Sequence, residues 1–163
     1  MTAPGGAVLI TDYSFSFEAV DQVQEPGATT RNPAQAMFDD DRASQALGIE
    51  LVETGSGHAS ARMRITEAMV NGHGIAHGGY LFLLADTAFA CACNSHGPTT
   101  VAARADITFI RPARRGDLLI ARAEQRSQFG RSGIYDVSVH CGDQLIAEFR
   151  GHSRSLNTEG AKP

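Results

Sequence analysis

From Gly78 to about Asn94 the chain reads Gly-Gly-Tyr-Leu-Phe-Leu-Leu-Ala-Asp-Thr-Ala-Phe-Ala-Cys-Ala-Cys-Asn, apolar or small on nearly every helical face, with one acid, Asp86. A helix without a polar stripe has no side to offer to water, so it belongs in the middle of a core. It is not a membrane span, because the densest apolar stretch, Ile75 to Cys93, is interrupted by His77, two glycines and Asp86. The rest of the chain must therefore cover it.

The flanking sequence predicts what that cover is. Asn32-Pro33-Ala34-Gln35 starts a helix, with Asn32 as cap, Pro33 at the first position and Gln35 completing a capping box. This helix should run to about Ala46 and stop near Gly48. Ile49 to Val52 and His58 to Ile65 read as strands joined by Gly55-Ser56-Gly57. After the central helix, Val101, Ala103, Ala105, Ile107 and Phe109 alternate along one strand face, followed by strands over Leu118 to Ser127, Ile134 to His140 and Gln144 to Leu156. Turns at Arg111-Pro112 to Gly116-Asp117, Gly130 to Gly133 and Gly142-Asp143 separate them, with no helical crossover between. This order predicts an α+β domain in which a curved antiparallel sheet wraps around one long central helix. Its edge strands need protection, and joining sheets across a dimer is one way to provide it.

At 163 residues the chain suits one core, which we place at residues 32–156. Residues 1–31 read as a flexible N-terminal extension, with Tyr13 to Phe17 as a candidate extra edge strand, and residues 157–163 as a flexible tail. Fourteen basic against 18 acidic residues give a net charge of −4, which provides no broad basic field for nucleic acid or an anionic membrane. Cys91, Cys93 and Cys141 form no CxxC pair, and Met1 to Asp12 lacks a secretory pattern, so the expected location is cytoplasmic.

The chemistry concentrates around His77-Gly78-Gly79 and Asp86. Glycines at a helix start let an amide approach an anionic oxygen, as the oxyanion of acyl transfer requires, although glycine also starts helices for purely structural reasons. Asp86 lies among Leu83, Leu84, Ala85, Ala88 and Phe89, where an unpartnered charge is costly. It is either a base or nucleophile, or an acid tied down by hydrogen bonds. On one helix Gly78 and Asp86 stand roughly 12 Å apart, so they cannot grip one carbonyl from the same chain. Two antiparallel helices across a two-fold axis can. Asn71, His73 and His77 can bond a thioester or a water. His73 and His77 lack the further ligands of a zinc site, so neither metal nor other cofactor is expected. Arg111, Arg114 and Arg115 either bind phosphates or solvate a hairpin. P-loop, GxGxxG, GxSxG and HExxH patterns are absent.

The run Asn71-Gly72-His73-Gly74-Ile75-Ala76-His77-Gly78-Gly79, continued by Leu84-Ala85-Asp86-Thr87-Ala88-Phe89-Ala90, resembles the phenylacetyl-CoA thioesterase (PaaI) group of the hotdog-fold thioesterases. The resemblance extends from the Asn32 helix to about Leu156. It implies the hotdog fold and dimers often paired into homotetramers. It further implies that Asp86 is the catalytic base or nucleophile, that the Gly78 amide polarises the thioester carbonyl, and that Asn71 and His77 position water or thioester. His77 and Gly78 are then expected opposite the partner subunit's Asp86. Where related thioesterases carry a hydroxyl on the strand after the helix, this chain reads Ala102-Ala103-Arg104-Ala105.

The resemblance implies hydrolysis of phenylacetyl-CoA or hydroxyphenylacetyl-CoA to the free acid and CoA in phenylacetate catabolism. Tyr80, Phe82 and Phe89 are candidates for the acyl slot, with packing against the sheet as the competing role. Two other readings stand beside it: a broad or medium-chain acyl-CoA thioesterase, and a noncatalytic acyl-CoA-binding dimer.

Overall fold

The computed structural model describes residues 32–156. The expectations for residues 1–31, including Tyr13 to Phe17, and for residues 157–163 lie outside the described residues.

Two short helices come first, α1 (Pro33–Asp39) and α2 (Arg42–Ala46). Here the structure departs from the single helix read from the sequence. Asp41 supplies a second N-cap, its Oδ1 accepting from the Ser44 N–H at 3.0 Å, and this restarts the chain as α2. Asn32 caps α1 as expected, accepting from the Ala34 N–H at 2.9 Å. Gln35 does not close a capping box; its amide donates forward to Asp39 at 2.8 Å.

The hairpin β1 (Glu50–Gly55) and β2 (His58–Arg64) follows, then a single 3₁₀ turn at Glu67–Met69 and the long helix α3 (Gly78–Asn94). Strands β3 (Thr100–Phe109), β4 (Leu118–Phe129), β5 (Ser132–Cys141) and β6 (Gln144–Ser155) complete a six-stranded sheet in the order β1-β2-β4-β5-β6-β3. Every pairing is antiparallel, and α3 packs against all six strands. This is the predicted sheet around a helix.

Alternation explains the packing. Ala59, Ala61 and Met63 of β2, Leu119, Ala121 and Ala123 of β4, and Tyr135, Val137 and Val139 of β5 are buried, while their neighbours in sequence face outward. The alanines of β2 and β4 keep the sheet surface low beneath the bulky helix. Strand β3 behaves differently. A register shift between Ala102 and Arg104 interrupts its pairing, only Ala105 and Ile107 of the expected face are half-buried, and Val101 and Phe109 are exposed. The alternation is present, but among the described residues this edge strand has no second neighbour to cover it.

Gly151 of β6 shows how tightly α3 sits. A Cβ there would come within 2.7–2.8 Å of three ring atoms of Phe89, which is 1% exposed and cannot swing away. We expect Gly151→Ala to destabilise the fold by about 1–3 kcal/mol, read as a lower denaturant midpoint at unchanged slope.

Candidate active site

Four backbone hydrogen bonds shape the region before α3. Asn71 N–H donates to the Ile75 carbonyl, Ala76 N–H to Ala113, His77 N–H to Met69, and Ile110 N–H to Ile146, each at 2.8 Å. The Ala76 bond holds the loop of residues 70–77 against the turn after β3, the Asn71 and His77 bonds close the loop and tie it to the 3₁₀ turn, and the Ile110 bond anchors the end of β3 to β6. The Asn71 Oδ1 tightens the loop from inside, accepting from the His73 N–H at 2.9 Å and the Ile75 N–H at 3.4 Å. With the oxygen so engaged, the Asn71 amide NH₂ is the end left to donate.

His77 is the N-cap of α3. Its Nδ1 accepts from the Gly79 N–H at 3.0 Å, so in this arrangement the neutral ring carries its proton on Nε2. The Tyr80 N–H is taken by the His77 carbonyl at 3.0 Å. A helix cannot supply a partner for its first N–H. Among the described residues, the Gly78 amide is thus the first-turn donor still open, at the positive end of the helix.

Gly78 borders a cavity of about 440 Å³ whose walls also include Asn71, Ile75, Leu81, Phe109, Ile110 and Arg111. The Phe109 ring lies over Gly78, so close that a Cβ on Gly78 would be 2.7 Å from its Cζ. Sequence reasoning assigned Phe109 only to a strand face. Its place over the helix start follows from the pairing of β3 with β6, which no local pattern reveals.

The aromatic candidates separate. Phe89 does not line this cavity, because it is buried against Tyr135 and Phe149 at ring-centroid distances of 5.5 and 5.9 Å. Phe82 is half-buried and meets Phe149 edge-on at 5.3 Å. Tyr80 stands beside His77, their centroids 6.3 Å apart, and with Gly79 and Leu83 borders a second, shallower hollow on the helix surface. Of the arginines, Arg111 reaches the cavity and donates to the Leu145 carbonyl at 3.0 Å. Arg115 is exposed and ion-paired with Glu67 at 2.6 Å, and the exposed Arg114 precedes it on the same turn, its own N–H donating to Asp117 at 2.8 Å.

Asp86 is half-buried on α3. Burial pushes its carboxyl above the ordinary value, and the negative charge of Asp41 pushes in the same direction. It does not border the Gly78 cavity; at 1.5 Å of rise per residue the two positions lie about 12 Å apart along the helix. Burial also pushes the Cys91 and Cys93 thiols up to about 12, which leaves little thiolate for nucleophilic chemistry at neutral pH.

The arrangement offers an open amide at a helix start, a largely apolar cavity beside it and, further along the same helix, a carboxylate with raised proton affinity. These are the parts of an acyl-transfer site that removes an acyl group to water.

The chain is similar to known thioesterases. A family model described as the thioesterase superfamily matches residues 73–148. The acyl-coenzyme A thioesterase PaaI of Escherichia coli is 44% identical over 124 residues, spanning 76% of this chain and 89% of that protein. A putative esterase of Archaeoglobus fulgidus is 31% identical over 124 residues, covering 76% of this chain and 80% of its own length. Among solved structures, that of the E. coli PaaI protein from the phenylacetic acid degradation operon superimposes with a TM-score of 0.75 at 43% identity, covering 77% of this chain and 91% of the other. A Thermus thermophilus protein gives a TM-score of 0.69 at 35% identity, covering 71% and 98%.

Proposed function

This chain belongs to the hotdog-fold thioesterases, close to the PaaI acyl-CoA thioesterases, and from that premise we propose that it hydrolyses phenylacetyl-CoA or ring-hydroxylated phenylacetyl-CoA to the free acid and CoA. Acyl-CoA thioester hydrolysis is the activity of the family. The finer assignment, a role in phenylacetate catabolism, draws on the operon of the E. coli relative.

The observation that carries the mechanism is the open amide of Gly78, a residue that borders the cavity. A thioester carbonyl entering there directs its oxygen at Gly78 N–H, with Asn71 NH₂ and His77 Nε2–H as neighbouring donors. Asp86 then either draws a proton from water as that water attacks, or attacks the carbonyl carbon itself to form a mixed anhydride, which water opens after CoA has left to release the acid and restore the carboxylate. The tetrahedral oxyanion is held by Gly78 while the CoA thiolate departs. Arg111, Arg114 and Arg115, on the turn after β3, suit the phosphates of CoA.

Since Gly78 and Asp86 of one chain are about 12 Å apart, the reading includes a homodimer in which each carbonyl lies between Gly78 and the partner's Asp86. The exposed Val101, Phe109 and Ile110 at the edge of the sheet formed by the described residues, and the hollow at Tyr80 and Leu83, are apolar surfaces that assembly would cover, in a dimer or in a tetramer of dimers. The described residues contain no helix long and apolar enough to cross a membrane. The three thiols are unpaired, which agrees with a cytoplasmic enzyme acting on a cytoplasmic substrate.

The deciding experiment is CoA release from a matched panel of phenylacetyl-, hydroxyphenylacetyl-, benzoyl- and straight-chain acyl-CoA. We expect kcat/KM for the arylacetyl substrates to exceed that for straight chains by about tenfold or more, the discrimination that a shaped apolar slot provides. Faster turnover as a straight chain lengthens would identify a medium-chain or broad thioesterase instead.

A further inference from the structure

The residue after Asp86 is held from outside its helix. Thr87 is 5% exposed, and its hydroxyl donates to the Leu83 carbonyl at 2.8 Å. The same hydroxyl lies 2.8 Å from the Oγ of Ser44, itself 1% exposed in α2. Ser44 Oγ in turn donates to Asp41 Oδ2 at 2.5 Å, while the Ser44 N–H donates to Asp41 Oδ1 at 3.0 Å. With the Ser44 proton given to Asp41, the donor between the two hydroxyls is Thr87, whose one proton is shared between Ser44 Oγ and the Leu83 carbonyl. A hydrogen-bonded chain therefore runs from the break between α1 and α2 to the turn of α3 that carries Asp86.

Capping alone does not account for this. A five-residue helix can be capped by any Ser, Thr, Asn or Asp, and a neutral cap would leave the interior less charged. An acid here brings a second negative charge to the buried side of the segment that already holds Asp86, with no cation in the chain of bonds to offset it.

We propose that Asp41 is a positioning residue for Asp86: through Ser44 and Thr87 it fixes the turn of α3 that carries the reacting carboxylate, and it keeps a like charge beside that carboxylate. This rests on the reading of Asp86 as base or nucleophile. A neighbouring negative charge opposes ionisation of Asp86 and makes the carboxylate, once formed, more eager for a proton or an acyl carbon.

The surroundings single out Asp41. It is the charged group that adds to burial in raising the Asp86 carboxyl, and its field reaches the Cys91 thiol on the same helix. Of the other charged residues on α1, α2 and their junction, Asp40 and Arg42 are exposed, and Asp39 accepts from Gln35. The charged groups of the sheet, among them Arg62, Arg122, Glu124, Asp136 and Arg150, occupy positions that alternate with the helix-facing ones and point away from α3; on β3, Arg104 and Asp106 lie on the edge strand, away from the buried core. Glu50 of β1 is bound to Arg62. The titratable groups on the inner side are the Tyr135 hydroxyl and the Cys91 and Cys93 thiols, each pushed up to about 12 and so uncharged at neutral pH.

Asp41→Asn separates charge from geometry. The Asn Oδ1 accepts the Ser44 N–H, its NH₂ donates to Ser44 Oγ, the Ser44 proton turns to Thr87, and Thr87 keeps its bond to Leu83. Each contact keeps a hydrogen bond, with the direction of the two bonds at Ser44 Oγ reversed, and the negative charge is lost. Profiles of kcat and kcat/KM against pH are measured with phenylacetyl-CoA, or with the best substrate of the panel, for the wild type, Asp41→Asn, Ser44→Ala and Asp86→Asn. We expect the acidic limb of Asp41→Asn to move to lower pH by about half a unit, with kcat on the plateau falling about 2–5-fold and KM unchanged. Ser44→Ala retains the acid, so its limb should stay in place while kcat and melting temperature fall. Should Asp41→Asn fold poorly, Asp41→Ser is a second neutral cap with the same expected shift. A limb that coincides with the wild type in these neutral variants overturns the proposal, whatever happens to stability. Full turnover by Asp86→Asn would instead overturn the assignment of Asp86, and this proposal with it.

Discussion

Asp86→Asn is expected to lower kcat for thioester hydrolysis by about 10²–10⁴-fold, the range over which a positioned base or nucleophile contributes. The amide keeps the size of the carboxylate, so acyl-CoA binding should be retained. The wild-type rate should fall on the acid side as the carboxylate takes up its proton. Because burial and Asp41 both raise that carboxyl, the acidic limb should lie above the ordinary value of 3.8.

The same shift has a stability consequence of known sign. A carboxyl that binds its proton more tightly folded than unfolded stabilises the fold below its unfolded pKa. That contribution is lost as pH rises through the raised folded value. At neutral pH, ionised Asp86 is thus a burden on the fold, and Asp86→Asn should melt at a higher temperature than the wild type. The gain should disappear below about pH 4, where both carry a neutral side chain. A variant that is inactive yet no more stable at pH 7 would mean that the carboxylate has a compensating partner in the folded protein. Unimpaired turnover would remove Asp86 from the chemistry.

Gly78→Ala is expected to separate activity from folding in the other direction. Alanine is favoured over glycine inside a helix by up to about 1 kcal/mol. The ring atom that a Cβ would strike, Cζ of Phe109, is the far end of a side chain that is 52% exposed and can swing outward. Stability should therefore change little. The Cβ, however, occupies space that a carbonyl needs to reach the open amide, so kcat/KM should fall about 100-fold. Phe109→Ala alone reports the share due to the ring. Mixing Gly78→Ala with Asp86→Ala chains tests the two-chain site: a mixed dimer places both lesions in one site and leaves the other whole, so it should recover about half the wild-type activity. No recovery on mixing overturns the cross-subunit arrangement, and near-normal turnover by Gly78→Ala removes the amide from the mechanism.

These tests draw unequally on the sequence. The helix at Gly78 to Asn94 was legible because its residues are apolar all round, begin with two glycines and carry one acid. The strand order after it was legible from turn residues and the lack of crossovers. The separation of Phe89 from a substrate slot was partly legible as well. Phe82 and Phe89 are seven residues apart, and at about 100° per residue they fall on one side of a helix with Tyr80 on the other. Which of those sides meets the sheet could not be read, since both are apolar; Phe149 and the gap left by Gly151 decide it. The restart at Asp41 was the one local signal passed over, an acid three residues before a serine within an acidic run.

Helix and strand periodicity, capping and turn preference act over a few neighbouring residues, so the elements, their antiparallel order and the residues able to do chemistry were all written locally in the chain. Longer-range relations were not. That Phe109 covers Gly78, that Arg111 reaches the cavity while Arg115 pairs with Glu67, and that Asp41, Ser44 and Thr87 join across 43 residues of chain to reach the turn of Asp86 emerged with the folded molecule. These relations depend on strand register and on how two helices rest on a third. They are set by the packing of the whole core, to which no local stretch of sequence holds the key.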